Sequence, residues 1–598
     1  MPPIRLEGET LLRSDICSAW TLVADTERQN RLIGLGPLQV SSAAGSAGAA
    51  RFLVRSRLGG FAVEWEDLPT EFIRYEWFRI RRRFRAGPLR SLEVEARLVP
   101  EGSGTRLHLA LTLDPKGALM RPLAFVSGRR SLKSMLALTE ALDRGGTGAL
   151  HAVDATNPVS LEALNRGRAA LRSALPEELR ALGDRLCDFI RDAPDHALVR
   201  VRPFELAHDW AVPQDALLHV CLVAVVEGLL ELSWDALCPS CRGPSERVTK
   251  LSEVTQHAEC TLCDLRFDVT LDESLEATFT TSASVRRVDP GPFCISGPSR
   301  LPHVVSQQVL PKAAAVTFVA PKEPGRYRLF LRGGETLPVR VAEGGEARAV
   351  FRPGSSPVQV RPGATLEIPP RGEETHVKLE HLEWASRAAT AHHLALTPAF
   401  RRLFAREALQ PGVALAVKRV ALLFSDLTGS TALYTRVGDA VAFGVVQSHF
   451  ELLFAVVERH GGTVVKTIGD AVMAAFGDEL SAVRAALDMQ RAFGPFAERG
   501  GVLGADALKI GGYAGPCFAV SANGTLDYFG QSVNIAARLQ GAAGPGEIVL
   551  PASLAERAQA KGLFEANELG APFPATLKGL DAQFHAVRIT LSDVTRRR

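Results

Sequence analysis

Two short stretches near the C-terminal end carry residue types that could hold cations against phosphate. One runs from Leu422 through Ser425-Asp426-Leu427-Thr428-Gly429-Ser430-Thr431; the other is Lys466-Thr467-Ile468-Gly469-Asp470-Ala471-Val472-Met473. Each is an apolar, strand-like run that ends in an Asp with a Gly close by, and one long helical pattern separates them. A pair of carboxylates held at strand ends can grip two Mg²⁺ ions for phosphoryl chemistry. The small, hydroxyl-rich run Leu427, Thr428, Gly429, Ser430 and Thr431 leaves backbone N–H groups available to phosphate at a helix start.

A third segment completes the pattern. Leu526-Asp527-Tyr528-Phe529-Gly530-Gln531-Ser532-Val533-Asn534-Ile535-Ala536-Ala537-Arg538 places Asn534 and Arg538 four residues apart. On a helix both project from one face. Together these segments resemble the catalytic domain of class III adenylate and guanylate cyclases. The resemblance implies that Asp426 and Asp470 hold two Mg²⁺ or Mn²⁺ ions per active site. It implies that Lys466 and Asp527 read the purine, and that Asn534 and Arg538 stabilise the transition state. Lys578, in Leu577-Lys578-Gly579, matches a late lysine that meets the triphosphate. Adenine presents an acceptor at N1 and a donor at N6, and guanine reverses both. A Lys donor with an Asp acceptor therefore favours ATP.

The same resemblance implies a ferredoxin-like βαββαβ core and a homodimer with active sites shared between two catalytic domains. The expected function is a soluble adenylate cyclase that converts ATP to 3′,5′-cyclic AMP and pyrophosphate, regulated by its N-terminal portion. The alternatives are a guanylate cyclase and a catalytically silent nucleotide-binding scaffold.

The elements that must position these residues follow from the local patterns. Arg419 to Ser425 reads as a buried strand and Ser430 to His460 as amphipathic helix. Val464 to Ile468 and Ala471 to Phe476 read as a hairpin turning at Gly469-Asp470. Glu479 to Phe493 is Ala-rich helix and Ala507 to Gly515 a further strand. The catalytic unit spans 415–592.

Upstream, four cysteines stand out among the chain's nine. Cys238-Pro239-Ser240-Cys241 and Cys260-Thr261-Leu262-Cys263 have zinc-ribbon spacing. They predict one structural Zn²⁺ per chain within 238–270. Four thiolates would leave no open position for catalysis.

With 598 residues the chain should hold several domains, and the fold class expected is multidomain α+β. Residues 1–145 read as a helix, Asp15 to Ala24, capped by Ser14. Strands follow at 50–57, 60–67, 72–82, 91–100 and 105–113, then a long helix at about 119–142. This order resembles the START-like helix-grip fold, which implies a hydrophobic ligand. Arg79, Arg81, Arg82, Arg83 and Arg85 form a basic row that reads as a solvated strand end or an anion site. Residues 150–237 read as helical and winged-helix-like, 271–385 as a small β-sandwich, and 395–412 as a connecting helix opening at Thr397-Pro398.

A net charge of +3 on this length gives no overall field for nucleic acid, and the candidate recognition helix, Pro213 to Glu227, has no Lys or Arg. No nucleic-acid partner is expected. No uninterrupted apolar run reaches the roughly 18 residues that would span a bilayer. The first residues, Met1 to Glu7, carry no apolar signal core. The expected compartment is the cytoplasm.

Overall fold

The computed structural model describes residues 2–32, 38–42, 52–58, 61–152, 157–288, 297–352, 354, 356–382, 388–575 and 584–592. The N-terminal unit opens with a strand absent from the expected order, Ile4–Leu12. Its ends, Ile4 and Leu12, are buried while Arg5, Glu7 and Glu9 alternate toward solvent or the sheet margin. It pairs antiparallel with Gly104–Pro115. Helix Ile16–Ala24 follows, and its cap is Asp15 rather than Ser14: the Asp15 carboxylate accepts from the N–H groups of Cys17 and Ser18.

The expected strand over 72–82 is two strands. Tyr75 adopts a left-handed φ of 69°, and the chain reverses there. Glu71–Ile73 and Trp77–Ala86 then pair with each other, Phe72 opposite Phe78. Strands Gln39–Ser42, Phe52–Leu58, Phe61–Asp67 and Leu89–Glu101 belong to the same sheet. Helix Arg121–Ala152 seats on the two strands Ile4–Leu12 and Gly104–Pro115. It approaches closely because Gly128 faces Leu113 and Leu6, where a Cβ would meet side chains at 2.4 and 2.9 Å. The row of arginines is neutralised across strands: Arg79 and Arg81 meet Glu71, Arg82 meets Asp67, and Arg83 and Arg85 meet Glu66. It is therefore a paired strand surface rather than a free basic patch.

Helices Leu161–Ala174, Arg180–Asp192, Pro203–Trp210 and Gln214–Val226 form the next layer. Leu217, Leu218, Val220, Cys221 and Leu222 are fully buried, so Gln214–Val226 is its core helix. It lies against the three-stranded sheet Pro244–Val248, Leu230–Leu237 and Leu275–Thr281.

This last strand corrects the expected sandwich over 271–385. Leu275–Thr281 is buried along almost its whole length, so it needs cover on both faces. It finds that cover beside Leu230–Leu237. The other strands of the region, Val304–Leu310, Thr375–His381, Gly325–Leu331, Thr336–Val350, Val358–Ile368 and Val316–Val319, run in one hydrogen-bonded path. That path continues the N-terminal sheet, with Gln307 beside Phe72 and Ser306 beside Ile73. The open edge of the short strand Glu71–Ile73 is what the second unit completes.

The connecting segment also differs from expectation. It is two short helices, Ala391–Leu396 and Pro398–Leu403, not one connecting helix over 395–412. Thr390 caps the first by accepting from the His393 N–H. The second stops where Phe404 stacks on Phe400, with ring centroids 5.4 Å apart.

In the C-terminal unit, strand Ala414–Leu427 is central. The order across the sheet begins Gly462–Ile468, Ala471–Phe476, Ala414–Leu427, Leu508–Ala522. With helices Asp439–Arg459 and Glu479–Gly500 between them, this is a βαββαβ, ferredoxin-like arrangement. Glu547–Pro551, Phe584–Thr590 and Phe573–Ala575 extend it. Asp439–Arg459 is, by length and composition alone, apolar enough to cross a bilayer. Here it is a core helix, with Leu453, Val456 and Val457 buried in the cluster beneath the sheet.

Candidate active site

Asp426 is the penultimate residue of the central strand. Its register partner on the neighbouring strand is Lys509, and the Lys509 Nζ lies 3.1 Å from Asp426 Oδ2. Asp470 sits in the two-residue turn joining Gly462–Ile468 to Ala471–Phe476, where Ile468 pairs with Ala471. Gly469 supplies the positive φ, 63°, that so tight a hairpin requires. The turn swings the Asp470 carboxylate against the central strand, where the Leu427 N–H donates to its Oδ2 at 3.3 Å. Both carboxylates thus share one end of the sheet.

The chain then turns through Thr428 and Gly429, φ 81°, into helix Ser430–Val437. Leu427 is buried, and Thr428, Gly429 and Ser430 form the helix entry, with Thr431 in its first turn.

A bulge between Val417 and Val420 bends the long antiparallel pair Ala414–Leu427 and Leu508–Ala522. At its far end, strand Thr525–Phe529 hairpins onto Leu508–Ala522, with Asp527 opposite Val520. This brings the hairpin to Gly462–Ile468. Lys466 Nζ donates to Asp527 Oδ2 at 2.6 Å, and Asp527 Oδ1 accepts from the Tyr528 N–H at 2.8 Å. Asp527 is buried and Lys466 half-buried.

Gly530, φ 135°, then starts helix Gln531–Gly541. Asn534 and Arg538 are both exposed on it. The helix sits directly on strand backbone at Gly511, where a Cβ would lie 1.9 Å from the Gln540 nitrogen. Ile468, Phe518 and Phe529 are exposed apolar side chains around this end of the unit, Phe518 directly opposite Phe529. Lys578 lies outside the described residues.

The connecting helices reach the same hairpin. Arg401 Nη1 donates to the Leu526 carbonyl at 3.2 Å, and burial holds its guanidinium below the usual range. The Tyr528 hydroxyl faces His392 Nδ1 at 3.5 Å. Burial pushes His392 down to about 4, so the ring is neutral near pH 7, and raises the Tyr528 phenol. On the other side, Phe400 meets Trp234 edge-on at 5.9 Å. Sequence reasoning missed Lys509, Arg401 and His392. Lys509 alone left a signal, a charge between Leu508 and Ile510 in a buried strand.

The four predicted cysteines also converge. Cys238, Cys241, Cys260 and Cys263 are buried, with their sulfurs within 4.8 Å of one another. Each pair forms a tight knuckle closed by a left-handed residue, Arg242 at φ 60° after Cys241 and Asp264 at φ 52° after Cys263. Buried Lys378 donates to Cys263 Sγ at 3.2 Å. Hydrogen bonds from the neighbouring thiols, with the Lys378 charge, hold the Cys263 thiol well below its ordinary value.

Comparison with known proteins matches residues 413–580 to the adenylate and guanylate cyclase catalytic domain family. Residues 413–580 form a class III nucleotide cyclase catalytic domain. A second match assigns 169–302 to a family of unknown function. The cyclase domain falls among modest likenesses. An uncharacterized protein of Mycobacterium tuberculosis is 35% identical over 167 residues, 28% of this chain and 40% of that protein. The chain thus spans about two fifths of the length of that relative. A receptor-type adenylate cyclase of Trypanosoma congolense is 27% identical over 207 residues, 27% of this chain and 26% of that protein. Among solved structures, the adenylyl cyclase CyaB from P. aeruginosa is 20% identical with a TM-score of 0.26, covering 30% of this chain and 98% of that one. The guanylate cyclase domain of RhGC from Catenaria anguillulae, in complex with GTP, is 22% identical with a TM-score of 0.25, covering 30% of this chain and 99% of that one.

Proposed function

We propose that the protein is an adenylate cyclase acting as a homodimer. The observation that carries the choice of ATP is the Lys466–Asp527 pair, 2.6 Å apart. With adenine present, Lys466 donates to N1 and Asp527 accepts from the N6 amino group. Guanine would set donor against donor and acceptor against acceptor, leaving buried polar groups unpaired.

Asp426 and Asp470 offer hard carboxylate oxygens at one strand end, a donor set suited to Mg²⁺ or Mn²⁺. Asp426 and Asp470 would hold such ions, whose charge would lower the pKa of the ribose 3′-hydroxyl and offset that of the triphosphate. Lys509 adds a fixed positive charge beside Asp426. The 3′-oxygen attacks the α-phosphorus, the bond to the β-phosphate's bridging oxygen breaks, and pyrophosphate leaves with its electron pair. Asn534 orients the ribose. Arg538 meets the charge growing on the α-phosphoryl oxygens with its planar fork of donors.

Asn534 and Arg538 are exposed, and so are Ile468, Phe518 and Phe529 nearby. A second catalytic domain covering this face would bury the apolar side chains and bring its own Asp426 and Asp470 to the first chain's Asn534 and Arg538. The N-terminal helix-grip unit, START-like in order, is then the sensor. The connecting helices reach from Trp234 to Leu526 and Tyr528, and through them a change upstream would bear on Asp527. The cysteine cluster holds one structural Zn²⁺, since four converging thiolates suit a closed tetrahedral site.

The deciding experiment is turnover of purified full-length protein with ATP and with GTP in Mg²⁺ or Mn²⁺. Cyclic AMP from ATP in clear preference is the expected result. Preference for GTP would make the protein a guanylate cyclase, and no turnover with either nucleotide would make it a silent scaffold.

A further inference from the structure

Large apolar side chains exposed to water are scattered singly through most folded proteins and need no explanation. Here four fall within one short stretch. Leu119 is 92% exposed, more than any other large apolar side chain among the described residues, and Val126 is 65%, Leu123 55% and Phe125 43% exposed. Leu119 stands in the turn Ala118–Met120 that leads into helix Arg121–Ala152. Leu123 and Val126 follow it at spacings of four and three, so the three share one outward stripe. The helix buries a different stripe, Ala124 and Leu132, with Gly128 closest to the sheet. The outer leucines and valine therefore contribute nothing to this domain's own core.

The charge on the same stretch is one-sided. From Lys116 to Thr139 there are five basic residues, Lys116, Arg121, Arg129, Arg130 and Lys133, and no Asp or Glu. Arg129, Arg130 and Lys133 are exposed and make no ion pair among the described residues. The contrast with the arginines of strand Trp77–Ala86 is direct, since each of those faces a carboxylate. Arg130 continues the Leu119, Leu123, Val126 stripe one turn further on. Arg129 and Lys133 flank it.

We propose that this face docks on the surface of an anionic lipid bilayer. Apolar side chains at the tip enter the interface between headgroups and acyl chains, and the basic side chains behind them meet headgroup phosphates. Both halves of the pattern are needed for the assignment. A nucleic acid would satisfy the arginines and lysine but gives Leu119 and Val126 no hydrocarbon to enter. A second copy of this chain would cover the leucines but would set five positive charges against five. A bilayer with acidic headgroups answers both. The contact is peripheral, because the helix continues onto its own sheet rather than across the membrane.

The test is co-sedimentation of full-length protein with vesicles of phosphatidylcholine alone and of phosphatidylcholine mixed with phosphatidylglycerol. Binding confined to the mixed vesicles, and weakened by added salt, is expected. The double variant Leu119→Ser, Val126→Ser should lower the bound fraction about tenfold or more, from the hydrocarbon no longer transferred. Arg129→Gln, Arg130→Gln and Lys133→Gln together should abolish the preference for acidic lipid. All these side chains are exposed, so circular dichroism and cyclase turnover in solution should be unchanged. As an independent readout, the indole emission of a Leu123→Trp variant should shift to the blue on mixed vesicles and not on phosphatidylcholine. Equal sedimentation of wild type and both variants would overturn the proposal. So would an emission from the Leu123→Trp variant that ignores lipid, retention on a DNA or RNA column unaffected by the Leu119→Ser, Val126→Ser change, or a dimer that this change dissociates.

Discussion

Lys466 and Asp527 stand sixty-one residues apart in the chain, on separate strands, yet Nζ and Oδ2 lie 2.6 Å from each other. In the proposed reading, a half-buried ammonium beside a buried carboxylate would give a purine pocket one donor and one acceptor at fixed positions. Changing Lys466→Glu together with Asp527→Cys inverts those roles. The ratio of kcat/KM for ATP to that for GTP should fall about 5- to 150-fold, the equivalent of about 1–3 kcal/mol. Parallel assays with the two nucleotides measure it. An unchanged ratio would mean that these residues do not read the base.

A shared site can be tested by mixing chains. Asp470→Ala and Arg538→Ala should each cost on the order of 10²–10³ in kcat alone. In a heterodimer one site then carries both defects and the other none. Activity should return, to about half of a wild-type dimer's turnover if the sites act independently. Co-purification of differently tagged chains must first establish the mixed dimer. Mixed dimers that stay silent would place the whole site within one chain.

The seat of helix Gln531–Gly541 gives a prediction about packing. At Gly511 a Cβ would meet the Gln540 backbone at 1.9 Å, and backbone cannot move aside as a side chain can. Gly511→Ala should push helix Gln531–Gly541 off the sheet, costing about 1–3 kcal/mol of stability. It should also lower kcat, because Asn534 and Arg538 ride on that helix. Gly444→Ala is the matched control. Gly444 lies in helix Asp439–Arg459 with open space where its Cβ would be, so alanine there should stabilise by up to about 1 kcal/mol. Thermal melts of the two variants should move in opposite directions.

The cysteine cluster predicts metal content. Elemental analysis of protein purified without chelator should find one zinc per chain. Cys241→Ser should release it and lower the melting temperature, since a closed thiolate site contributes folding energy directly. Activity should fall less than stability, as the cluster is separate from the strands that carry Asp426 and Asp470. A zinc-free, equally stable wild-type protein would refute the assignment.

Some of this is legible in the chain itself. The cysteine pairs, the two aspartates beside glycine, and Asn534 four residues before Arg538 are local patterns. Their chemistry depends on residue type at short spacing, and a turn or helix face fixes that geometry wherever the segment lies. The catalytic strands and helices are likewise readable from their periodicity. Strand Ile4–Leu12, absent from the expected order, does carry a signal, the alternation of Ile4, Leu6, Thr10 and Leu12 with Arg5, Glu7 and Glu9.

Other features have no local signature. Nothing near Phe72 announces Gln307, 235 residues away, as its strand partner, and so the expected separate sandwich became a continuation of the first sheet. Leu275–Thr281 reads as one more short strand until burial on both faces assigns it to Leu230–Leu237. Lys509 became part of the candidate site because antiparallel register set it opposite Asp426. Arg401 did so because a connecting helix happened to end over the Leu526 carbonyl. The sequence determined which groups are available, since that is a matter of covalent chemistry and local conformation. Tertiary structure decided which of them meet, because strand pairing and burial are settled between segments that share no local pattern.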